Sequence, residues 1–342
     1  MDKMRLQTHS QASHEALLTG TIGGDSGWVV QKQEGSELVF ARQQAASPAL
    51  WFRVFKSIRA MSLTATFFPA MAVVLLNLAG GFTIDVWTLI SAILAMLMLQ
   101  IAVNVFNDVE DYLKLIDLPG SLGGSGVIQS GWLSVVQLKR LGWLAFVSAS
   151  VLAIPALIKS PEYVLGCAAF AGLGVMGYSG KPFRFKYRAL GDVFVFLLCG
   201  PILSIGVSIA ATNAFDLSVI ILGVFYGFIA CGILNANNIN DINVDSHSGA
   251  RTLASVLGFT KARWLQSVYY AAALISLFCL AWMISAWLLL PCLALPLVYQ
   301  HLSVLFQANY CDDVSLSAIR FDAAKLHMAL SVLVCVSLII TL

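Results

Sequence analysis

Two groups of asparagine and aspartate residues lie where long apolar segments end. The first acidic cluster contains Asn104, Asn107, Asp108, Asp111 and, further on, Asp117, and the second contains Asn237, Asn238, Asp241 and Asp245. In a helix, residues at i, i+4 and i+7 or i+8 share one face, so the spacing within each cluster directs its side chains the same way. Each cluster therefore offers a patch of oxygen ligands.

The chemistry of these ligands favours a magnesium ion. Mg²⁺ binds hard oxygens and is usually held by one or two carboxylates, several waters and the phosphate oxygens of a substrate. Two such patches in one chain predict a diphosphate held through metal from two sides. We expect Asp108, Asp111, Asp241 and Asp245 to be the metal ligands, directly or through water. Asn104, Asn107, Asn237 and Asn238 are expected to support them or contact the substrate.

A structural role for the clusters is the alternative, because Asn and Asp are common helix caps and loop residues. Capping carboxylates belong at helix N-termini, however, and both clusters occur where apolar segments finish. The helix dipole disfavours negative charge there. Carboxylates close to a membrane core are also energetically unfavourable and are usually functional. The position of the clusters therefore favours the metal site.

The composition indicates a polytopic membrane protein of the all-α class. Apolar residues make up 59% of the chain and charged residues 11%, whereas soluble domains have about 25% charged residues. Apolar runs long enough to cross a bilayer recur along the sequence. They predict nine spans, at about 60–80, 86–107, 140–158, 161–178, 189–211, 216–236, 264–282, 284–302 and 323–342.

The basic residues predict the orientation. With a cytoplasmic N-terminus, every Lys and Arg except Lys159 falls in the N-terminal tail or in loops on the cytoplasmic side, as the positive-inside rule requires. Both acidic clusters then face the cytoplasm. We expect an integral protein of a bacterial inner membrane, in contact with lipid and with no nucleic-acid partner.

The N-terminal segment differs in character from the rest. Residues 1–52 are polar and mixed in charge, without a sustained apolar period, and they predict a partly disordered cytoplasmic tail. A short amphipathic piece around Leu50 to Phe55 is expected on the membrane surface. Residues 53–342 form the predicted transmembrane domain.

The two clusters also carry a family resemblance. The first resembles the NDxxDxxxxxD signature, and the second the DxxxD signature, of the UbiA superfamily of intramembrane aromatic prenyltransferases. The resemblance continues through YSGKPFRFKYRALGDVFVFLLCGP (178–201) and NNINDINVDSHSGARTLASVLG (237–258), in the manner of the menaquinone-branch 1,4-dihydroxy-2-naphthoate prenyltransferases. It implies nine helices around a central cavity, a Mg²⁺-dependent site, an isoprenyl diphosphate substrate and an aromatic acceptor.

The sequence departs from those enzymes at three places. Gly126 stands where they often have an arginine, Lys181 occurs in YSGKP where they often read YTGGP, and Asp192 replaces the glutamate of their GLGE. These departures leave the acceptor open. Gly126 is expected near the acceptor, in a Gly-rich stretch at 123–126 that suits either a lid, an anion-binding loop or an ordinary loop.

The expected chemistry is the departure of diphosphate from an allylic carbon. Developing negative charge on the leaving group needs basic partners, for which Lys181, Arg184 and Arg251 are the candidates, with membrane anchoring as their alternative. Tyr178 could stabilise the carbocation through its ring, position the pyrophosphate, or belong to an interfacial belt of tyrosines. Asp117 or Asp192 is expected to act as the base for the acceptor or to orient it.

Two other functions use similar features. A terpene cyclase of the same superfamily would use the metal clamp without an aromatic acceptor. A transporter would also place carboxylates near membrane helices, but it would be expected to have broken helices near the midplane instead of two clusters at one interface.

Overall fold

The computed structural model describes residues 2–43, 47–119 and 124–342, most of them helical. The longer helices are α3 (Ala60–Ala79), α4 (Val86–Leu113), α5 (Val135–Leu152), α7 (Pro161–Gly177), α9 (Pro201–Thr212), α10 (Leu217–Asn240), α13 (Phe259–Met283), α14 (Leu295–Gln307) and α15 (Ile319–Thr341). The shorter ones are α1 (Gln11–Thr19), α2 (Leu50–Ser57), α6 (Ile154–Lys159), α8 (Gly191–Cys199), α11 (Ile242–Ser248) and α12 (Leu253–Leu257), with 3₁₀ turns at Phe185–Tyr187, Ala286–Ala294 and Val314–Leu316.

The predicted all-α membrane class is confirmed, but the count of nine spans is not. In the described part of the chain, eight helical stretches are long and apolar enough to cross a membrane. They are Ala60–Ala79, Val86–Leu113, Val135–Lys159, Gly191–Thr212, Leu217–Asn240, Phe259–Met283, Ala286–Gln307 and Val314–Thr341. The span expected at 161–178 forms α7, an apolar helix of 17 residues, which is shorter than the typical span of about 20.

Aspartates cap the N-termini of α4 and α10, the two helices that end in the acidic clusters. Asp85 accepts a hydrogen bond from the Thr88 N–H at 3.2 Å, and Asp216 accepts one from the Val219 N–H at 3.1 Å. These caps satisfy amides that have no partner within the helix. The aspartates that cap α4 and α10 therefore lie at the helix ends opposite the acidic clusters. We call this side of the molecule the far end of the bundle.

Helix α10 lies at the centre of the bundle and packs closely against the break between α8 and α9. A Cβ on Gly223 of α10 would lie 2.7 Å from the Pro201 Cα, and one on Gly200 would lie 2.5 Å from the Gly223 carbonyl oxygen. These approaches are shorter than real Cβ contacts, so only glycine allows the backbones to meet. The buried side chains Phe225 and Tyr226 extend the same core.

The N-terminal segment is folded, contrary to the prediction of a partly disordered tail. It contains β1 (Lys3–Gln7), β2 (Thr21–Ile22), β3 (Asp25–Ser26), β4 (Trp28–Glu34) and β5 (Glu37–Arg42). Strands β1, β5 and β4 form an antiparallel sheet in that order, and β2 pairs with β3. The expected piece at Leu50 to Phe55 corresponds to α2.

A hairpin signal explains the difference. Gly35 and Ser36 separate β4 from β5, and Gly35 has a φ of 59°, the left-handed conformation that two-residue hairpin turns need at their first position. The strands bury Val30, Leu38 and Phe40. This apolar face packs against the transmembrane helices. The helical period that identifies the membrane spans does not reveal such short strands.

Candidate active site

Asp108 lies on the last turns of α4, almost fully buried. Its Oδ2 accepts a hydrogen bond from the Ser125 backbone N–H at 2.9 Å, and its Oδ1 lies 3.3 Å from Arg59 Nη1. Arg59 immediately precedes α3, so the start of that helix brings a guanidinium to the end of α4. One amide and one cation thus hold this carboxylate in place.

Asp111 is held by three neighbours. Its Oδ2 lies 2.7 Å from Lys186 Nζ and accepts from Asn107 Nδ2 at 2.8 Å, while its Oδ1 accepts from the Tyr187 hydroxyl at 2.5 Å. Burial alone would lower the pKa of Lys186, but Asp111, together with Tyr178 and Asp117, outweighs burial and raises that pKa above its ordinary value. Lys186 therefore stays positively charged.

Asn104 lies one turn deeper along α4. Its Nδ2 donates to Ser62 Oγ at 2.7 Å, and its Oδ1 accepts from Gln100 Nε2 at 3.2 Å. The amide is thus satisfied on both sides, as a buried polar group must be. These bonds join α3 to α4 beneath the first acidic cluster.

The second acidic cluster is arranged by the end of α10 and the short helix α11. Asn237 Nδ2 donates to Asp241 Oδ2 at 3.3 Å, and Arg320 Nη1 donates to Asn237 Oδ1 at 3.4 Å. Asp245, on α11, accepts from the Thr252 hydroxyl at 2.9 Å. A guanidinium from α15 therefore reaches this cluster, as Arg59 reaches the first.

The two clusters act on each other electrostatically. Burial raises the pKa of Asp241 above its ordinary value; Lys186 and Arg320 work against this rise, and Asp111 of the other cluster adds to it. Burial likewise raises the pKa of Asp245 to about 6, with Asp111 again contributing to the rise. The Lys186 ammonium thus interacts with carboxylates from α4, α10 and α11.

The carboxylates of Asp117 and Asp108 both lie close to Gly124. A Cβ built on Gly124 would lie 2.8 Å from Asp117 Oδ2 and 3.1 Å from Asp108 Oδ1, and Gly124 has a φ of 59°. Glycine is required at this point both for the backbone conformation and for the space between the carboxylates. Burial and the nearby Asp111 raise the pKa of Asp117 to about 7.

A single cavity of about 860 Å³ joins these groups to the interior of the bundle. Its polar end is lined by Asn104, Asn107, Asp111, Asp117, Ser125, Asn237, Asn238, Asp241 and Asp245, with the cations Lys56, Arg59, Lys186 and Arg320. Beyond these residues the lining becomes apolar, and it extends as far as Ala92, Ala156, Val164 and Gly206. Asp108 lies just behind the lining residue Ser125, to which it is bonded.

The donors suit Mg²⁺ without forming a complete cage. No group of three or more His, Cys, Asp or Glu side chains has metal-binding geometry within the described residues. Mg²⁺ does not require one, since it commonly takes one or two carboxylates and completes its octahedron with water and phosphate. The carboxylates of Asp108 and Asp111 in one cluster, and of Asp241 and Asp245 in the other, supply oxygen donors of this kind. A diphosphate would supply the remaining ligands.

The basic residues predicted from the sequence lie elsewhere. Within the described chain, Lys181, Arg184 and Arg251 do not line the cavity, and Lys181 is exposed. The carbonyl of Arg251 accepts a hydrogen bond from the Ala189 N–H at 2.6 Å. Gly126 is also outside the lining, with a φ of 73°. The structure does not support contact between these four residues and a ligand in the cavity.

The fold places Tyr178 and Asp192, the other two predicted site residues, in different surroundings. Tyr178 lines the cavity. Asp192 does not line it, since its Oδ1 instead accepts from the Tyr269 hydroxyl at 2.8 Å between α8 and α13. Asp192 is therefore too far inside the helix packing to act as a base, whereas Asp117 lines the cavity directly.

Arg59, Lys186 and Arg320 are cavity cations that the sequence reasoning missed. Lys186 lies in the same basic loop as the predicted Lys181 and Arg184, but loop residues have no period from which their direction can be inferred. Arg320 stands on the final helix, far along the chain from the cluster it contacts. Arg59 immediately precedes α3, and a basic residue at the start of a membrane span is equally consistent with a membrane anchor.

A helical membrane bundle with two acidic clusters at one end of an apolar cavity defines a class of intramembrane enzymes. The model of the UbiA prenyltransferase family matches residues 66–314. The chain belongs to this family and is a prenyltransferase.

The chain is also similar to proteins named as naphthoate prenyltransferases. A 1,4-dihydroxy-2-naphthoate octaprenyltransferase from Haemophilus influenzae is 31% identical over 62% of this chain and 72% of the relative. One from Bacillus subtilis with the same name is 23% identical over 72% of this chain and 77% of the relative.

Solved structures share the fold. A UbiA homolog from Aeropyrum pernix aligns with a TM-score of 0.61 at 15% identity, covering 81% of this chain and 97% of its own. A UbiA homolog from Archaeoglobus fulgidus bound to DMAPP and Mg²⁺ aligns with a TM-score of 0.53 at 13% identity, covering 83% of this chain and 99% of its own.

Proposed function

We propose that this protein transfers a prenyl group from an isoprenyl diphosphate to an aromatic acceptor within the membrane, with Mg²⁺ as cofactor. The observation that supports this most strongly is that two acidic clusters from separate helices face one cavity whose other end is apolar. The diphosphate would bind between the clusters and the prenyl chain would extend into the apolar part.

Lys186, Arg59 and Arg320 are the proposed partners of the diphosphate. All three line the polar end of the cavity, and each is already held in place by an oxygen of an acidic cluster. Charges fixed before the reaction stabilise a leaving group without reorganisation. Bound Mg²⁺, held by Asp108, Asp111, Asp241 and Asp245, would neutralise further charge on the departing diphosphate.

The proposed reaction replaces the C1–O bond of the prenyl diphosphate with a C1–C bond to the ring. The C1–O bond breaks and its electron pair leaves with the diphosphate, while a carbon of the electron-rich ring forms a new bond to C1. The ring then loses the proton from that carbon. Asp117 is the proposed acceptor of this proton because it lines the cavity beside the clusters. The Tyr178 ring, also in the lining, is placed to stabilise positive charge on the allyl group.

The apolar part of the cavity suits a long prenyl chain. Asp111 and Ala92 both line it and both lie on the continuous helix α4. At 1.5 Å per residue they are separated by about 28 Å along the helix axis. Such a channel also keeps water from a reactive carbocation. The substrate class that fits is a polyprenyl diphosphate of several isoprene units.

The proposed acceptor is a naphthoate-like or phenol-like ring of quinone biosynthesis, and the names of the relatives support the naphthoate-like one. Those cited are named for 1,4-dihydroxy-2-naphthoate and for an octaprenyl group. The bacterial relatives and the distribution of basic residues also support an inner-membrane location, with the acidic clusters and N-terminus on the cytoplasmic side.

A membrane assay tests the proposal. Membranes containing the protein are incubated with prenyl diphosphates of several lengths and a panel of aromatic acids, and products are identified by mass spectrometry. The expected product is a prenylated ring that forms only when both substrates are present. A parallel incubation without acceptor distinguishes the cyclase, which would convert the prenyl diphosphate to a hydrocarbon or alcohol on its own.

A further inference from the structure

The N-terminal sheet lies against the loop that follows α4. Val29 and Val30 of β4 and Phe40 of β5 belong to the same buried apolar cluster as Val127 and Ile128 of the loop. Val127 is completely buried and Ile128 is 4% exposed. Apolar side chains at this depth need a cover on each side, and the sheet contributes to that cover. The family match begins at residue 66, so the sheet lies outside it.

Polar contacts also join the two parts. The Val30 N–H donates to the Tyr112 hydroxyl at 3.3 Å, and Tyr112 is the neighbour of Asp111 on α4. Gln43, just after β5, donates from Nε2 to the Gln129 carbonyl at 3.4 Å. A Cβ on Gly131 would lie 3.2 Å from Gln43 Cβ, so the chain leaving the sheet lies directly on the loop.

The other side of the same loop contacts the acidic residues. Ser125 donates its N–H to Asp108, and Gln129 Nε2 donates to the Asp117 carbonyl at 3.0 Å. The loop is thus held between the N-terminal sheet and the first acidic cluster, where it bonds to the carboxylate of Asp108 and to the backbone carbonyl of Asp117. Amide and carboxylate positions at a reacting centre must be fixed within a fraction of an ångström for full rate.

We infer that the N-terminal sheet, residues 3–42, is a positioning unit that holds the 124–134 loop against Asp108 and Asp117 and so preorganises the diphosphate site. This inference rests on the proposed function, because it assigns the held residues to diphosphate binding. Residues of the sheet contact the loop and Tyr112. The sheet therefore acts through the loop and Tyr112, and not on the substrate directly.

The test disrupts the sheet without changing the cavity. In the full-length protein, Phe40→Asp places a carboxylate in the buried face of the sheet, and Tyr112→Phe removes only the hydroxyl that accepts from Val30. Gln33→Asp introduces the same carboxylate at an exposed position of β4 and is the matched control. Backbone hydrogen exchange of residues 124–134 and the kinetics with prenyl diphosphate are measured for each variant.

We expect Phe40→Asp to speed exchange both in the sheet and in the 124–134 loop. The KM for prenyl diphosphate should rise by about tenfold or more, with a smaller fall in kcat at saturation, because a loosened site binds the ground state poorly but can still be filled. Tyr112→Phe should change both measurements in the same direction to a smaller extent, and Gln33→Asp should behave as wild type.

Wild-type loop exchange and wild-type KM in a variant whose sheet exchanges freely would overturn the inference. If Phe40→Asp cannot be recovered from membranes, Tyr112→Phe decides alone, and unchanged loop exchange with unchanged KM would overturn it. Failure of the proposed function is a separate result: the wild-type protein would then give no prenylated product, while loop exchange would still report whether the sheet holds the loop.

Discussion

Among the cavity cations, Lys186 is the one whose replacement should change kcat and KM most. Its ammonium bonds to Asp111 and Asn107 and influences Asp117, Asp241 and Asp245. Replacing Lys186 with Ala should lower kcat about a hundredfold and raise the KM for prenyl diphosphate, because charge on the leaving group grows in the transition state. Steady-state kinetics in membranes measures both constants.

Lys181→Ala is the matched control in the same loop. Its side chain is exposed and outside the cavity lining, so we expect kinetics within about twofold of wild type, as for surface substitutions generally. A large kinetic loss from Lys181→Ala together with a mild effect of Lys186→Ala would mean that the loop adopts a different arrangement when substrate binds.

At the residue level, the direction of a side chain could be predicted where a regular helical period applied. The side chains of Asn104 and Asp111 point to one cavity because α4 is an unbroken helix, and the same holds for Asn237 and Asn238 on α10. The cations were harder to predict, since Lys186 lies in an irregular loop and Arg320 depends on how α15 packs. Neither depends on local sequence alone.

At the scale of single elements, α4 should set the length of prenyl chain that the cavity accepts. Ala92 lines its far part, and Ala92→Phe would fill that space. The KM for long prenyl diphosphates should rise by at least about tenfold, equivalent to about 1.4 kcal/mol of lost binding, while short ones should be unaffected. Competition between substrates of different lengths, with product mass spectrometry, measures the change.

Leu94→Phe is the control for this experiment. Leu94 lies on the same helix, is 40% exposed and is not part of the cavity lining. It should leave the preference for chain length unchanged. Equal effects of the two substitutions would show that the change arises from distortion of α4 and not from a shortened cavity.

The close approach of α10 to the α8–α9 break predicts a stability effect. A methyl group on Gly223 would meet the Pro201 backbone at 2.7 Å, so Gly223→Ala should destabilise the fold by about 1–3 kcal/mol, as overpacking usually does. A Cβ on Gly166 of α7 would meet nothing within 4 Å. Gly166→Ala should therefore keep the wild-type melting temperature in detergent, and equal melting of both variants would contradict the packing argument.

Element-level prediction from the sequence was most successful for the long apolar helices. Their length and hydropathy identified them, with the exception of α7, whose 17 residues fall short of a typical span. The N-terminal strands were missed because they are short and only partly apolar, and because what covers them is the distant α4–α5 region. Tertiary burial of this kind is not visible in a local pattern.

On the scale of the whole molecule, the fold brings together two acidic clusters that lie more than a hundred residues apart in the sequence. Helices α4 and α10 start at the far end with capping aspartates and finish at the polar end of the cavity with the aspartates that we propose as metal ligands. Arg59 from the start of α3 and Arg320 from α15 complete the ring of charge. The site therefore requires the complete bundle, and no single segment contains it.

The measurement that tests this account most directly is metal-dependent prenyl transfer by the wild-type protein and by Asp108→Asn and Asp241→Asn, one variant from each cluster. The account predicts no product in excess EDTA, recovery on addition of Mg²⁺, and a rate loss of at least about a hundredfold in either variant, because each removes a charge that stabilises the leaving group. Full turnover in EDTA, or a wild-type rate in either variant, would contradict it.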